Sequence, residues 1–85
     1  MSAEFLVENV RSLGEDGVII SGVIQSGLLT EGTTGRTIRG KSFTVVKIER
    51  DGCRVVRFEE KARLELFAKH VNVRDIWIGE TIYLG

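Results

Sequence analysis

Val, Ile, Thr and Phe fall in short runs along the chain, with a glycine-containing turn every eight to ten residues. That rhythm predicts strands joined by tight turns, as in an all-β barrel or sandwich. Helical spacing of apolar positions is nearly absent. The first run, Phe5 to Leu13, stops at Gly14-Glu15-Asp16-Gly17, where two glycines bracket two acids and supply the positive φ angles of a hairpin loop. Turn formation accounts for Glu15 and Asp16 better than an acid/base pair, since adjacent turn carboxylates do not face each other. The second run, Val18 to Ser26, is more apolar and carries Gly22 at its centre. A glycine inside a strand marks a bulge, a bend or a close backbone approach.

Gly27 to Gly32 reads as a turn with Leu28 and Leu29 folded under it, followed by a short, weak strand over Thr34 to Arg39 that Gly40 closes. The clearest alternation comes next. It puts Phe43, Val45, Lys47 and Glu49 on one face and Thr44, Val46, Ile48 and Arg50 on the other. Asp51-Gly52 turns the chain, and Cys53 to Phe58 returns as the partner strand. Glu59-Glu60-Lys61 is a charged loop, and Arg63 to Ala68 alternates charged residues with Leu64, Leu66 and Ala68, a strand with one wet face. A connection from Lys69 to Glu80, holding Ile76, Trp77 and Ile78, leads to a last strand, Thr81 to Leu84. Six or seven strands are enough to close a barrel and remove exposed edges. Phe5, Phe43 and Phe58 fall at core positions.

Composition narrows the chemistry. Eighty-five residues without proline make one domain, residues 1–85, with a single small core. Cys53 is the sole cysteine, which excludes an internal disulfide, and with His70 it falls short of a zinc ligand set. A cytoplasmic location fits this cysteine usage, and no apolar run is long enough to span a membrane. There is no phosphate-binding Gly-Lys-Ser/Thr loop, no dinucleotide fingerprint and no partner to activate Cys53 or His70. These features point to a binding module with no cofactor, no nucleotide and no catalytic residue. Cys53 reads as a plain thiol and His70 as a loop residue.

Net charge is zero, but its distribution is not even. Residues 1–35 hold one basic and five acidic residues, whereas residues 36–74 hold eleven basic and five acidic. Arg36, Arg39, Lys41, Lys47, Arg50, Arg54, Arg57, Arg63 and Lys69 lie mostly on strands that a barrel makes neighbours, so they either merge into a phosphate-binding stripe or serve as solvated positions paired with Glu49, Asp51, Glu59 and Glu65. Trp77, between Ile76 and Ile78, either plugs one end of the barrel or anchors a protein partner.

The order of landmarks then becomes specific. Gly17, Ile19, Gly22, Ile24, Gly27, Leu29 and Gly32 stand at the spacing of domain 2 of the translational GTPases, and the whole chain resembles that β-barrel, the one found in elongation factor Tu. Thr44 to Glu49 and the closing Val73-Arg74-Asp75-Ile76-Trp77-Ile78-Gly79-Glu80-Thr81-Ile82 fall in place as well. The resemblance implies a closed, Greek-key-like barrel without GTP chemistry, standing alone or working with another chain. It also implies a pocket for the aminoacylated end of transfer RNA, carried over to Glu8, Ile19, Ser21 and Phe67. Arg63 stands where the family has Asn, and Glu59-Glu60-Lys61-Ala62 replaces its Ala-Gly loop, so the pocket is narrower here.

Two functions are expected from these residues. One is a non-enzymatic module that contacts ribosomal or transfer RNA or a translation-factor surface through Arg36, Arg39, Lys41, Lys47, Arg54 and Arg63. The other is an accessory barrel joined to a larger enzyme or complex, as barrels of this kind are in collagenase-like peptidases, with Ile76, Trp77, Ile78, Leu28 and Leu29 as its apolar handle.

Overall fold

The computed structural model describes residues 3–55, 57–58 and 61–85, with the backbone alone for Asp16, Arg57 and Phe58. The readings of Phe58 as core, of Arg57 as part of the stripe and of 59–60 as a charged loop lie outside the described side chains. Among the described residues, nine strands follow the glycine rhythm: β1 (Ala3–Ser12), β2 (Val18–Ser26), β3 (Leu29–Thr30), β4 (Thr34–Arg36), β5 (Ser42–Arg50), β6 (Cys53–Val55), β7 (Arg57–Phe58), β8 (Arg63–Lys69) and β9 (Thr81–Leu84). Strands β4, β9, β1, β2, β8 and β5 pair in that order, and β5 pairs back to β4, so six strands close a ring. Every pair is antiparallel. Because β9 returns across one end to lie between β1 and β4, the order is Greek-key-like as expected.

The hairpin loops form where glycine permits them. Gly14 and Gly17 take φ of 70° and 115°, and Asp51 and Gly52 take 52° and 80°, the double positive φ of a type I′ turn. Gly22 serves a different need. A Cβ there would run into the Leu6 carbonyl oxygen and the Phe5 ring, so β1 and β2 can approach this closely only with a glycine at the crossing. The β1 register shifts beside it, between Val7 and Asn9, which leaves Glu8 as the bulged residue.

The barrel interior is filled by Phe5, Val7, Val18, Ile20, Ile24, Phe43, Val45, Ile48, Leu64, Leu66, Ile82 and Leu84, each at most 1% exposed. Alternation in β8 holds as read, with Leu64, Leu66 and Ala68 inward. In β5 it does not. Val45 faces Ala68 and Lys47 faces Phe67, so two residues of β5 oppose one step of β8 and Val46 is bulged out. Ile48 thereby joins Phe43 and Val45 in the core instead of sharing a face with Val46.

Two other boundaries differ from the reading. The strand predicted over Thr34 to Arg39 ends at Arg36, because buried Thr37 turns the chain: its N–H donates to the Lys41 carbonyl, and its Oγ1 accepts from the Lys41 N–H at 3.1 Å. The described parts of the run Cys53 to Phe58 pair with two different strands. β6 continues the β5 hairpin outside the ring, while β7 leaves to pair with β3.

Candidate nucleic-acid interface

The six cations read as phosphate contacts do not merge into one stripe. Lys47, Arg54 and Arg63 lie on the sheet face formed by β5, β6 and β8, and each has a carboxylate partner. Lys47 Nζ is 3.3 Å from Glu49, Arg63 is 3.4 Å from Glu8, and Arg54 donates from Nε to Glu31 at 2.9 Å. The Arg54 hydrogen bond lowers the Glu31 pKa, and Glu31 raises that of Arg54 in return. Arg11, on the neighbouring β1, pairs with Glu65 at 2.9 Å. For these residues the solvated, ion-paired reading describes what is found, while Lys69, at the end of β8, has no carboxylate within salt-bridge distance among the described residues.

The residues carried over from the family pocket share this same face. Ile19 pairs with Phe67 across β2 and β8, Ser21 pairs with Glu65, and Glu8 sits at the β1 bulge opposite them. Two shallow depressions flank the group. One, of about 280 Å³, is lined by Ser21, Glu49, Asp51 and Arg63; the other, of about 380 Å³, by Leu13, Val46, Lys47 and Phe67. Lys47 lies 4.1 Å above the Phe67 ring. Arg63 reaches across to the Glu8 carboxylate.

Arg36, Arg39 and Lys41 are elsewhere, at the end of the barrel where residues 37–41 meet the connection 72–80. The two segments are tied by one buried carboxylate. Glu80 Oε2 accepts from the Ile38 N–H at 3.0 Å and Oε1 accepts from the Trp77 N–H at 2.6 Å. A second tie is Arg39, whose guanidinium donates to the Arg74 carbonyl at 2.7 Å and lies 4.5 Å above the Trp77 ring. The connection is itself stiffened by a capping box, with the Asp75 carboxylate accepting from the Asn72 N–H at 2.9 Å.

Ile76, expected to share an exposed handle with its neighbours, is buried and plugs this end; Trp77 and Ile78 turn outward, 57% and 68% exposed. The 3-10 turn at Val73–Asp75 gives way to extended backbone at Ile76, where successive side chains point to opposite sides. Leu29 is likewise buried and unavailable to a partner. Ile38, whose N–H shares the Glu80 carboxylate with that of Trp77, is also exposed, as is Tyr83, in register with Arg36 across β4 and β9.

Charge at this end is uncompensated at the surface. Among the described residues, Arg36, Arg39, Lys41 and Arg74 have no carboxylate within salt-bridge distance. The two acids present, Asp75 and Glu80, point their oxygens at backbone N–H groups. Sequence reading missed Arg74 and Glu80 as site residues. The signal for Glu80 was its place in the closing Gly79-Glu80-Thr81-Ile82, an acid directly ahead of a strand. Elsewhere, Cys53 is exposed at its hairpin, and no cluster of three or more metal-ligating side chains occurs among the described residues. No described helix is long and apolar enough to cross a membrane.

No protein-family model matches the chain, and no curated protein matches it. Its likeness is to solved structures. The barrel superposes on translation elongation factor SelB of Methanococcus maripaludis, in the apo form, with a TM-score of 0.89 at 16% identity over 100% of this chain. It also superposes on a bacterial selenocysteine-specific elongation factor, EF-Sec, with a TM-score of 0.83 at 20% identity over 94% of the chain. The chain spans 19% and 14% of those two proteins. At such identities the likeness establishes the fold, a closed barrel of the elongation factor Tu domain 2 type.

Proposed function

We propose that this barrel is a non-enzymatic module that binds RNA through the end carrying Arg36, Arg39, Lys41 and Arg74. The observation that carries the reading is the contrast between the two groups of cations. Lys47, Arg54 and Arg63 on the β5–β6–β8 face each meet a carboxylate, whereas Arg36, Arg39, Lys41 and Arg74 at the barrel end meet none among the described residues, although Asp75 and Glu80 are present there and bind backbone N–H groups instead. Uncompensated cations beside exposed aromatic rings form the electrostatic footprint of a nucleic-acid contact. The ribosomal or transfer RNA of a translation apparatus is the partner class that the fold brings to mind, since both superposed proteins are elongation factors.

The test is binding of total cellular RNA and of isolated ribosomes at low and moderate salt. Neutralising four phosphate contacts of a single strand corresponds to a slope near 3 in log affinity against log salt, so affinity should fall on the order of 50-fold between about 50 and 200 mM. The combined variant Arg36→Gln, Arg39→Gln, Lys41→Gln, Arg74→Gln should lose RNA binding. Unchanged RNA affinity in that variant would sink the proposal. Retention of a protein through the salt step, with no RNA, would instead support the accessory-barrel reading, with Ile38, Trp77 and Ile78 as its handle.

A further inference from the structure

Resting on that reading, we infer that the barrel end is a single-strand site, in which Trp77 is the stacking platform for one unpaired base and Arg39 is its built-in backing. An indole exposed to solvent has two faces to offer. In this structure one is covered by the Arg39 guanidinium at 4.5 Å, and the residue is still 57% exposed. The cation thus holds the ring in place and leaves the rest of it accessible, an arrangement that favours a flat, electron-rich partner.

Both ends of that pair are anchored. Arg39 is held by its hydrogen bond to the Arg74 carbonyl, and the Trp77 backbone is held by Glu80. Glu80 also fixes the Ile38 N–H, in the residue before Arg39, so one carboxylate holds both backbone segments from which guanidinium and indole project. A side chain prepared in this way gives up little freedom on binding. The platform therefore looks built for a ligand, where an apolar plug would have been buried as Ile76 is.

The charges around it favour nucleic acid over an apolar protein surface. Arg36, Lys41 and Arg74 belong to the segments that meet at this end of the barrel and have no carboxylate partners among the described residues, so a ligand that stacks on Trp77 is favoured when it carries negative charge beside the stacked group. A single-stranded RNA segment meets that condition, with phosphates 5′ and 3′ of each base. A duplex does not present an unstacked base, and it should bind only through its phosphates. Glu80 is a positioning residue in this scheme, because it touches backbone and not ligand.

The experiment is a fluorescence titration of the full chain, which contains a single tryptophan, with a 12-nucleotide unstructured RNA and with the same sequence as a duplex. The single strand should quench Trp77 emission and bind at least about 10-fold more tightly than the duplex. Trp77→Ala should weaken single-strand binding about 10- to 100-fold while leaving its salt slope unchanged, and Trp77→Phe should restore most of the loss. Glu80→Gln should reduce the single-strand preference without removing salt-sensitive binding. Equal affinity for strand and duplex, unquenched emission on binding, or an unaffected Trp77→Ala variant would each overturn the base platform and leave the phosphate reading in place. No binding of either RNA by the unmodified chain would overturn both.

Discussion

Single residues decide where the chain can fold and which charges it leaves open. Gly22 is the clearest case, since any side chain there enters the space of the Leu6 carbonyl. Gly22→Ala should destabilise by roughly 3 kcal/mol, because the clash is with paired backbone that cannot swing away. Urea unfolding measures it, and a loss below about 1 kcal/mol would mean that β1 and β2 separate more readily than their register indicates. Glu31 and Arg54 give a second test, this time of charge. The hydrogen bond from Arg54 holds the Glu31 pKa below its unfolded value, so its contribution to stability is present above that unfolded value and lost as pH falls through the folded one. Arg54→Gln should return Glu31 upward toward the ordinary glutamate range in a carboxyl NMR titration. An unmoved Glu31 would show that the bond is not kept in solution.

At the scale of elements, the β5 bulge has the largest consequence. Strict alternation places Ile48 with Val46, and the bulge separates them, sending Ile48 inward and Val46 out beside Lys47 and Phe67. Val46→Lys should therefore change stability by no more than about 0.5 kcal/mol. Ile48→Lys should cost more than about 4 kcal/mol, because it buries an unpaired ammonium in the barrel. Similar losses for the two variants in thermal unfolding would mean that the strand runs without a bulge. The connection 72–80 is the other element that matters, since its capping box and 3-10 turn allow Ile76 to seal the barrel while Trp77 faces out.

For the whole molecule, closure of the ring separates stability from binding. The core lies between six mutually paired strands, and three of the four cations proposed to meet RNA lie on the loops of one end, with Arg36 at the last position of β4. Neutralising all four should leave the midpoint of thermal unfolding within the range of ordinary surface substitutions, about 0.5 kcal/mol each, while RNA binding is lost. A large drop in stability would indicate that Arg39 and Arg74 hold the barrel closed as well as forming its surface.

The barrel of six or seven strands, though not the extra pair β3 and β7, the hairpins at 14–17 and 51–52 and the wet face of β8 were legible in the sequence, because they follow from local causes: which residues tolerate positive φ, which side chains suit a pleated surface, and how far apart the glycines stand. The family-type glycine spacing was equally local, and it led directly to the fold. What the sequence could not show is which carboxylate each cation meets. Arg54 finds Glu31 across 23 positions and Arg63 finds Glu8 across 55. The β5 bulge, the inward turn of Ile76 and the Glu80 tie also depend on neighbours distant in the chain. Tertiary structure decided them because closing the barrel brings together strand registers and loop ends that no local pattern places side by side.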